Sequence, residues 1–212
     1  MSGKSDKRPT VAITGAGSGL GRAMAIKLAA KRYRLFGTAR SEQRIAELAA
    51  ASSGNVELTL ADITHEPAVT AWVDKVTKDV GKHGLDVLIS NAGTLTPGPL
   101  EVLPVDDVRR EFEVNVFGAL TVINSFLPAL RKARGRIVQI GAFTGWVPVP
   151  FDGPSTARCG KYPRLPRAQP SRLRPFGIDI IMAQAGNMLT GGPAKKTSAS
   201  ATTPSSSGPV GH

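Results

Sequence analysis

Two rhythms of apolar residues take turns along the chain. Short apolar runs at 11–13, 34–38, 85–89, 135–140 and 176–182, and an alternating run at 56–60, predict strands. Between them lie stretches with a helical period. Residues 20–31 place Leu20, Met24 and Leu28 on one face. Residues 42–51 are alanine-rich and closed by Ser52, Ser53 and Gly54, and another helix begins near Pro67. A longer helix is predicted over 105–130, and Trp72 on the helix before it reads as core. The run 85–89 (LDVLI) is largely apolar, as a strand covered on both faces should be. Strands alternating with helices predict an α/β domain with a doubly wound parallel sheet.

The densest signal lies where the first strand meets the first helix. Residues 11–21 read VAITGAGSGLG, an apolar run followed by Thr14 and glycines at 15, 17, 19 and 21. Strand, glycine turn and helix together aim backbone N–H groups and a helix N-terminus at a diphosphate. Gly15 permits the tight turn, Gly19 lets the backbone approach phosphates, and Gly21 lets the helix pack close to the sheet. The spacing is T-G-x-x-x-G-x-G, with Leu20 where G-x-G-x-x-G would have its third glycine. The bland reading is a glycine-rich connector with no ligand. At the end of the second strand an acid would bind the ribose 2′-hydroxyl of NAD. Arg40 stands there instead, followed by Ser41, and a guanidinium suits the 2′-phosphate of NADP in a forked geometry. NADP(H) is therefore favoured over NAD(H), against the alternative of a surface arginine capping a loop.

Further motifs follow in order: Ser90-Asn91-Ala92-Gly93 after the fourth strand, and Asn115-Val116-Phe117-Gly118 within the long helix. With these, residues 10–155 resemble the short-chain dehydrogenase/reductase family. The resemblance implies a Rossmann-type, three-layer αβα fold with strand order 3-2-1-4-5-6. It implies an oxidoreductase that moves a hydride between NADP(H) and a small-molecule carbonyl or secondary alcohol. Cofactor contacts are implied for Gly15, Ser18, Gly19, Leu20, Gly21, Arg40, Asp62, Ile63, Asn91, Ala92, Gly93 and Thr190. Asp62 would hold the adenine amino group, or alternatively cap the helix near Pro67. Asn91 would brace the central sheet, Gly93 would allow close approach, and Thr190 would meet the nicotinamide carboxamide. Asn115, an amide among apolar neighbours, would perturb its helix and hold a water in the proton relay.

The resemblance also implies a Ser after the fifth strand and a Tyr-x-x-x-Lys pair on the next helix. Such a Tyr exchanges the proton, and the Lys favours tyrosinate electrostatically. Here Ala142 takes the Ser position, Ser155 the Tyr position and Cys159 the Lys position. An unassisted hydroxyl is a poor proton donor, and a thiolate opposes the electrostatics of Lys. Tyr162 and Lys161 have the wrong order and spacing. Pro163, Pro166, Pro170 and Pro175 then preclude a helix through 160–175, which disrupts the C-terminal third. That helix often builds the family's dimers and tetramers, so the family-type oligomer is in doubt too. The length from the Tyr position to Gly177-Ile178 matches the family, while the identities shift to Arg, Pro, Gly and Ala. An out-of-frame reading of residues 155–173 would produce this; a natural proline-rich loop is the alternative.

Charge adds a third function class to weigh. The net charge is +11, of which residues 158–175 contribute +6, residues 1–9 contribute +2 and residues 191–212 contribute +2. The remaining fold is nearly neutral, and no stacking platform accompanies the basic segment, so nucleic acid is not the expected partner. No single apolar run reaches the length of a membrane span, and MSGKSDKRP lacks a signal-peptide core. A cytoplasmic protein without a membrane partner is expected, and lone Cys159 excludes an internal disulfide. His65, His83 and His212 are scattered, so no metal site is expected. The domain plan is a flexible leader over 1–9, an NAD(P)-binding domain over 10–190 with an irregular segment at 156–175, and a disordered tail over 191–212. The leading reading is an oxidoreductase by descent whose catalytic set is not intact. The other is a non-catalytic nucleotide-binding or interaction protein, a pseudoenzyme or the product of a frame-shifted gene.

Overall fold

The computed structural model describes residues 8–52, 55–99, 101–142 and 173–185. Its elements follow the alternation of the sequence. β1 (Thr10–Ile13), α1 (Gly19–Ala30), β2 (Arg34–Ala39), α2 (Glu42–Ala51) and β3 (Val56–Leu60) form the first half. α3 (Glu66–Val80) crosses to β4 (Val87–Ser90), which is followed by α4 (Val105–Phe112), a π-helical segment (Glu113–Gly118) and α5 (Ala119–Ala133). β5 (Arg136–Ala142), a 3₁₀ turn (Arg174–Phe176) and β6 (Asp179–Ala185) complete the described chain.

All six strands pair in parallel, in the order β3-β2-β1-β4-β5-β6. This is the expected order, with its reversal between β1 and β4. The sheet is covered on two sides by separate apolar clusters. One joins α3 and α5 to the sheet through Trp72, Val76, Val122, Phe126, Leu88 and Ile137. Trp72 is buried core, as expected, and meets Phe126 edge-on at 5.0 Å. The other lies beneath α1 and α2 and includes Val11, Ile13, Ala25, Leu35 and Leu48.

Several boundaries depart from the sequence expectation. α1 presents Gly21, Ala25 and Ala29 as its most buried face, while Leu20, Met24 and Leu28 sit at the flanks. Small side chains let the helix lie close to the sheet, and this proximity outweighs the burial of larger neighbours. β4 starts at Val87, because Leu85 and Asp86 still bond across to Ala129 and Thr10. β6 starts at Asp179, because Arg174–Phe176 wind into a 3₁₀ turn closed by Gly177 at φ 72°. β5 extends to Ala142, held by pairing with Ala185. Val105–Ala133 is long enough to cross a membrane and contains an 18-residue window with a mean hydropathy of 1.3, which single apolar runs did not reveal. Half of that window is buried against the protein, which identifies it as the core helix.

Candidate functional site

Six parallel strands with helices on both faces leave a crevice where the strand order reverses, outside the carboxyl ends of the strands. Here that crevice is a cleft of about 250 Å³. Its walls include Gly15, Ser18, Leu20, Arg40, Asp62, Ile63, Asn91, Ala92 and Gly93. Nine of the residues singled out in the sequence thus converge from β1, β2, β3 and β4. Gly19 and Gly21 flank the cleft in the first turn of α1 without lining it. Thr190, Ser155 and Cys159 lie outside the described residues, as do the leader 1–7 and the tail 191–212.

The glycine turn is shaped by what it lacks. Gly15 and Gly19 hold φ of 68° and 51°, a left-handed backbone that disfavours any side chain. A Cβ on Gly21 would stand 2.2 Å from the Gly15 carbonyl oxygen and 2.6 Å from Asn91 Nδ2. A Cβ on Gly17 would stand 2.8 Å from the Ala39 methyl. Ser18 occupies the N-cap of α1, yet no side chain caps the helix and its first turn carries no acid. The first turn's N–H groups have no partner within the helix and stand beside the cleft. This arrangement fits an anion at the positive end of the helix dipole.

Two threonines fix the turn against its neighbours. Thr14 Oγ1, almost wholly buried, accepts from the amides of both Asn91 and Ala92 at 2.9 Å. Thr38 Oγ1 accepts from the Gly15 amide at 3.1 Å, and the Thr38 carbonyl takes the Ala16 amide at 2.8 Å. Asn91 Nδ2 donates back to the Thr14 carbonyl at 2.9 Å, the bracing expected of it. Neither threonine was singled out from sequence as a site residue. The available signal was a lone polar side chain where an apolar strand ends.

Asp62 resolves an open alternative. Its Oδ1 accepts from the Thr64 amide at 3.0 Å and the Thr64 hydroxyl at 2.8 Å, so it closes a local turn. It does not cap α3, whose N-cap is His65 and which has no side-chain cap. Burial raises the Asp62 carboxyl pKa, but the two Thr64 hydrogen bonds and the fields of Arg40 and Arg110 outweigh it. The net shift is downward, and the group is held as a carboxylate. Arg40 Nη1 lies 4.0 Å from Asp62 Oδ2, with the Arg40 side chain 58% exposed. Such a loose, exposed pair leaves the guanidinium free to take another anion. Arg44 joins it at the cleft, its stem running beside Gly17. A cation in the first turn of α2 opposes the helix dipole, a signal the sequence reading passed over.

On the far wall the long helix departs from regularity. The predicted unbroken helix is interrupted by the π-helical segment Glu113–Gly118, which carries Asn115. Asn115 is buried, and its amide clamps the loop after β4: Nδ2 donates to the Thr94 carbonyl at 2.7 Å and Oδ1 accepts from the Thr94 amide at 2.9 Å. The irregular stretch thus includes Asn115. Its side-chain bonds go to Thr94, which makes the residue a clamp on the loop. One turn earlier, fully buried Glu111 accepts from the Thr96 amide through Oε2 at 3.2 Å. Ala142 ends β5 with no polar atom in its side chain.

A doubly wound parallel sheet with a glycine turn opening into its switch-point crevice defines the Rossmann class. Within it, residues 9–200 match the family described as short chain dehydrogenase. An NADPH-dependent 3-dehydrocapnine reductase of Ornithobacterium rhinotracheale is 29% identical over 183 residues, covering 84% of this chain and 65% of the relative. A 3-ketodihydrosphingosine reductase of Bacteroides thetaiotaomicron is 30% identical over 182 residues, covering 85% and 64%. A crystal structure of a short-chain dehydrogenase from Streptomyces avermitilis superposes with a TM-score of 0.80 at 28% identity, covering 87% of this chain and 68% of that one. The chain belongs to the short-chain dehydrogenase family of oxidoreductases, whose members bind NAD(P) and act on small molecules. It spans just under two thirds of the length of these two curated relatives.

Proposed function

We propose that the cleft binds NADP(H) in preference to NAD(H), and that the carbonyl or secondary-alcohol chemistry of the family is largely lost in this chain. The observation that carries the cofactor reading is the pairing of an uncapped, acid-free first turn of α1 with Arg40 and Arg44 at the end of the same cleft. The first turn would hold the diphosphate, and the two guanidinium groups would hold a 2′-phosphate. Asp62, Ile63, Asn91, Ala92 and Gly93 would line the adenosine and ribose path, and Thr190 would meet the nicotinamide end. The word NADPH-dependent in one relative's description points the same way. When bound, the cofactor supplies or accepts the hydride.

What this chain's own residues would add is proton transfer, and there the set is incomplete. Ala142, Ser155 and Cys159 occupy the positions where the resemblance implies Ser, Tyr and Lys. Losing one acid–base group typically costs 10²–10⁴-fold in rate. The deciding experiment titrates NADPH and NADH against the protein and an Arg40→Ala variant. NADPH should bind more tightly, and the substitution should weaken it by about 1.5–3 kcal/mol while leaving NADH unchanged. Equal affinities that ignore the substitution would end the NADP reading. A panel of carbonyl substrates with NADPH should show no ordinary turnover; robust reduction would show that the proton donor lies elsewhere.

A further inference from the structure

The near-neutral total charge of the fold conceals a segregation. The edge of the sheet opposite the cleft, where strands begin and helices end, is strongly basic. Lys31 and Arg32 follow α1 there, Lys78 lies in the last turn of α3 with Lys82 just beyond it, and Lys132 and Arg134 stand at the end of α5. Arg34 opens β2, Arg136 opens β5 and Arg174 opens the turn before β6. The helix dipole accounts for cations in last turns, but not for arginines that open strands. Three acids at this edge, Asp79, Asp86 and Asp179, are already engaged. Asp79 pairs with Arg34 at 3.8 Å, Asp179 pairs with Arg136 at 3.3 Å, and Asp86 accepts from Thr10 at 2.8 Å. Lys31, Arg32, Lys132, Arg134 and Arg174 are exposed and have no ion-pair partner among the described residues.

On the β4–β6 side the patch is drawn together by contacts. Lys132 packs its stem against Gly84 ahead of β4, and Arg134 lies across Gly177. An apolar group stands within it: Phe176 is 46% exposed, and the Arg131 guanidinium sits 4.1 Å above its ring. We propose that this edge is a docking surface for an anionic phospholipid membrane, with Arg174–Phe176 as its apolar contact. Exposed cations at one edge together with an exposed aromatic suit a headgroup layer, where rings and arginines rest together. A single-stranded nucleic-acid surface would need an open aromatic platform for base stacking, and Arg131 lies over one face of the Phe176 ring. Docked this way, the protein turns its cleft toward the aqueous side. Hydropathy reads only membrane spans, so the expectation of no membrane partner does not reach this surface.

The test is sedimentation of the full chain with phosphatidylcholine vesicles, with and without phosphatidylserine, at low and physiological salt. Binding should require phosphatidylserine and weaken with salt. Each basic residue near such a surface is worth about fivefold, the equivalent of about 1 kcal/mol. Lys132→Glu with Arg174→Glu should therefore lower binding more than tenfold. Arg22→Glu with Arg109→Glu changes net charge equally at the other edge and should change binding less than threefold. Circular dichroism and melting temperature identify any variant that fails to fold, and Phe176→Ser gives a second, charge-neutral reading that should weaken binding at high salt. Equal loss from both charge pairs would overturn the proposal, since net charge alone would then act. So would no vesicle binding, or tighter binding to duplex DNA with the same dependence on Lys132 and Arg174.

Discussion

The two walls of the cleft are built on opposite principles. On the β1–β2 side the wall and the helix turn behind it are made of absences: Gly15, Gly17 and Ala39 in the wall, and Gly21 behind it, bring backbones together where no larger side chain fits. On the β4 side the wall is held by polar side chains, half-buried Asn91 and, behind the lining, buried Asn115 and Glu111, each bonded to a backbone group. The first wall is therefore vulnerable to atoms added, the second to atoms removed. Both serve one end, which is to keep the crevice open while a dense core closes around it.

Gly21→Ala should give the largest effect. Helix propensity alone would favour alanine by about 1 kcal/mol, so destabilisation would isolate the contact with the Gly15 carbonyl. We expect a loss of about 3 kcal/mol in chemical denaturation. A stabilised variant would mean that α1 can move off the sheet freely, and the first wall would not be defined by close approach. Thr14→Val tests the seam between the walls. It keeps the shape but strips the acceptor shared by the Asn91 and Ala92 amides, which should cost about 2–3 kcal/mol by the same assay.

Asn115→Leu tests the second wall alone. Losing both bonds to Thr94 should cost about 2 kcal/mol, and hydrogen exchange should rise at the Thr94 amide while that of Ala16 stays slow. Exchange that rises equally at both amides would show that the walls are not independent. Gly19→Ala is the milder counterpart in the first wall, since no atom lies within 4 Å of its added methyl. Only the left-handed backbone resists, at about 1 kcal/mol. The smallest effect concerns Asp62. Its pKa is held below the ordinary carboxylate value of 3.8, so the stability it adds is present above that pH and fades as pH falls through its folded value. Asp62→Asn should lower the melting temperature slightly at pH 7, with the gap to the parent closing below about pH 4. A gap that persists in acid would assign the difference to the Thr64 turn.

The sequence made much of the first wall readable, because glycines are required by local geometry that spacing preserves. Gly15 and Gly21 could be given roles before any coordinates, and so could the order of the strands. The second wall was harder to read. Asn115 stood out as an amide among apolar residues, but its partner, the Thr94 backbone, carries no distinguishing side-chain pattern. Thr14 and Thr38 were missed for the same reason, since a backbone amide as partner leaves no trace in sequence. Asp62 was ambiguous because one carboxylate can close several local turns, and only coordinates show that Thr64 receives it. Arg44 was legible in principle through its unfavourable place at a helix N-terminus.

The π-helical segment makes the long helix sensitive to length in a way its composition does not suggest. Glu111, Asn115 and Ala119 are spaced four residues apart twice in succession, yet all are buried. On a regular helix each such step overshoots a full turn by about 40°, and the third residue would drift well off the face of the first. The wider π turn absorbs that drift, so Glu111 reaches Thr96 while Asn115 reaches Thr94. Deleting one residue within 113–118 would close the π turn into a regular helix and keep the phase of α4 and α5, but it would remove the wider turn that presents Asn115 to Thr94. The segment should thus tolerate many exchanges of residue at constant length and almost no change in the number of residues. It acts as a spacer between the loop clamp and the core.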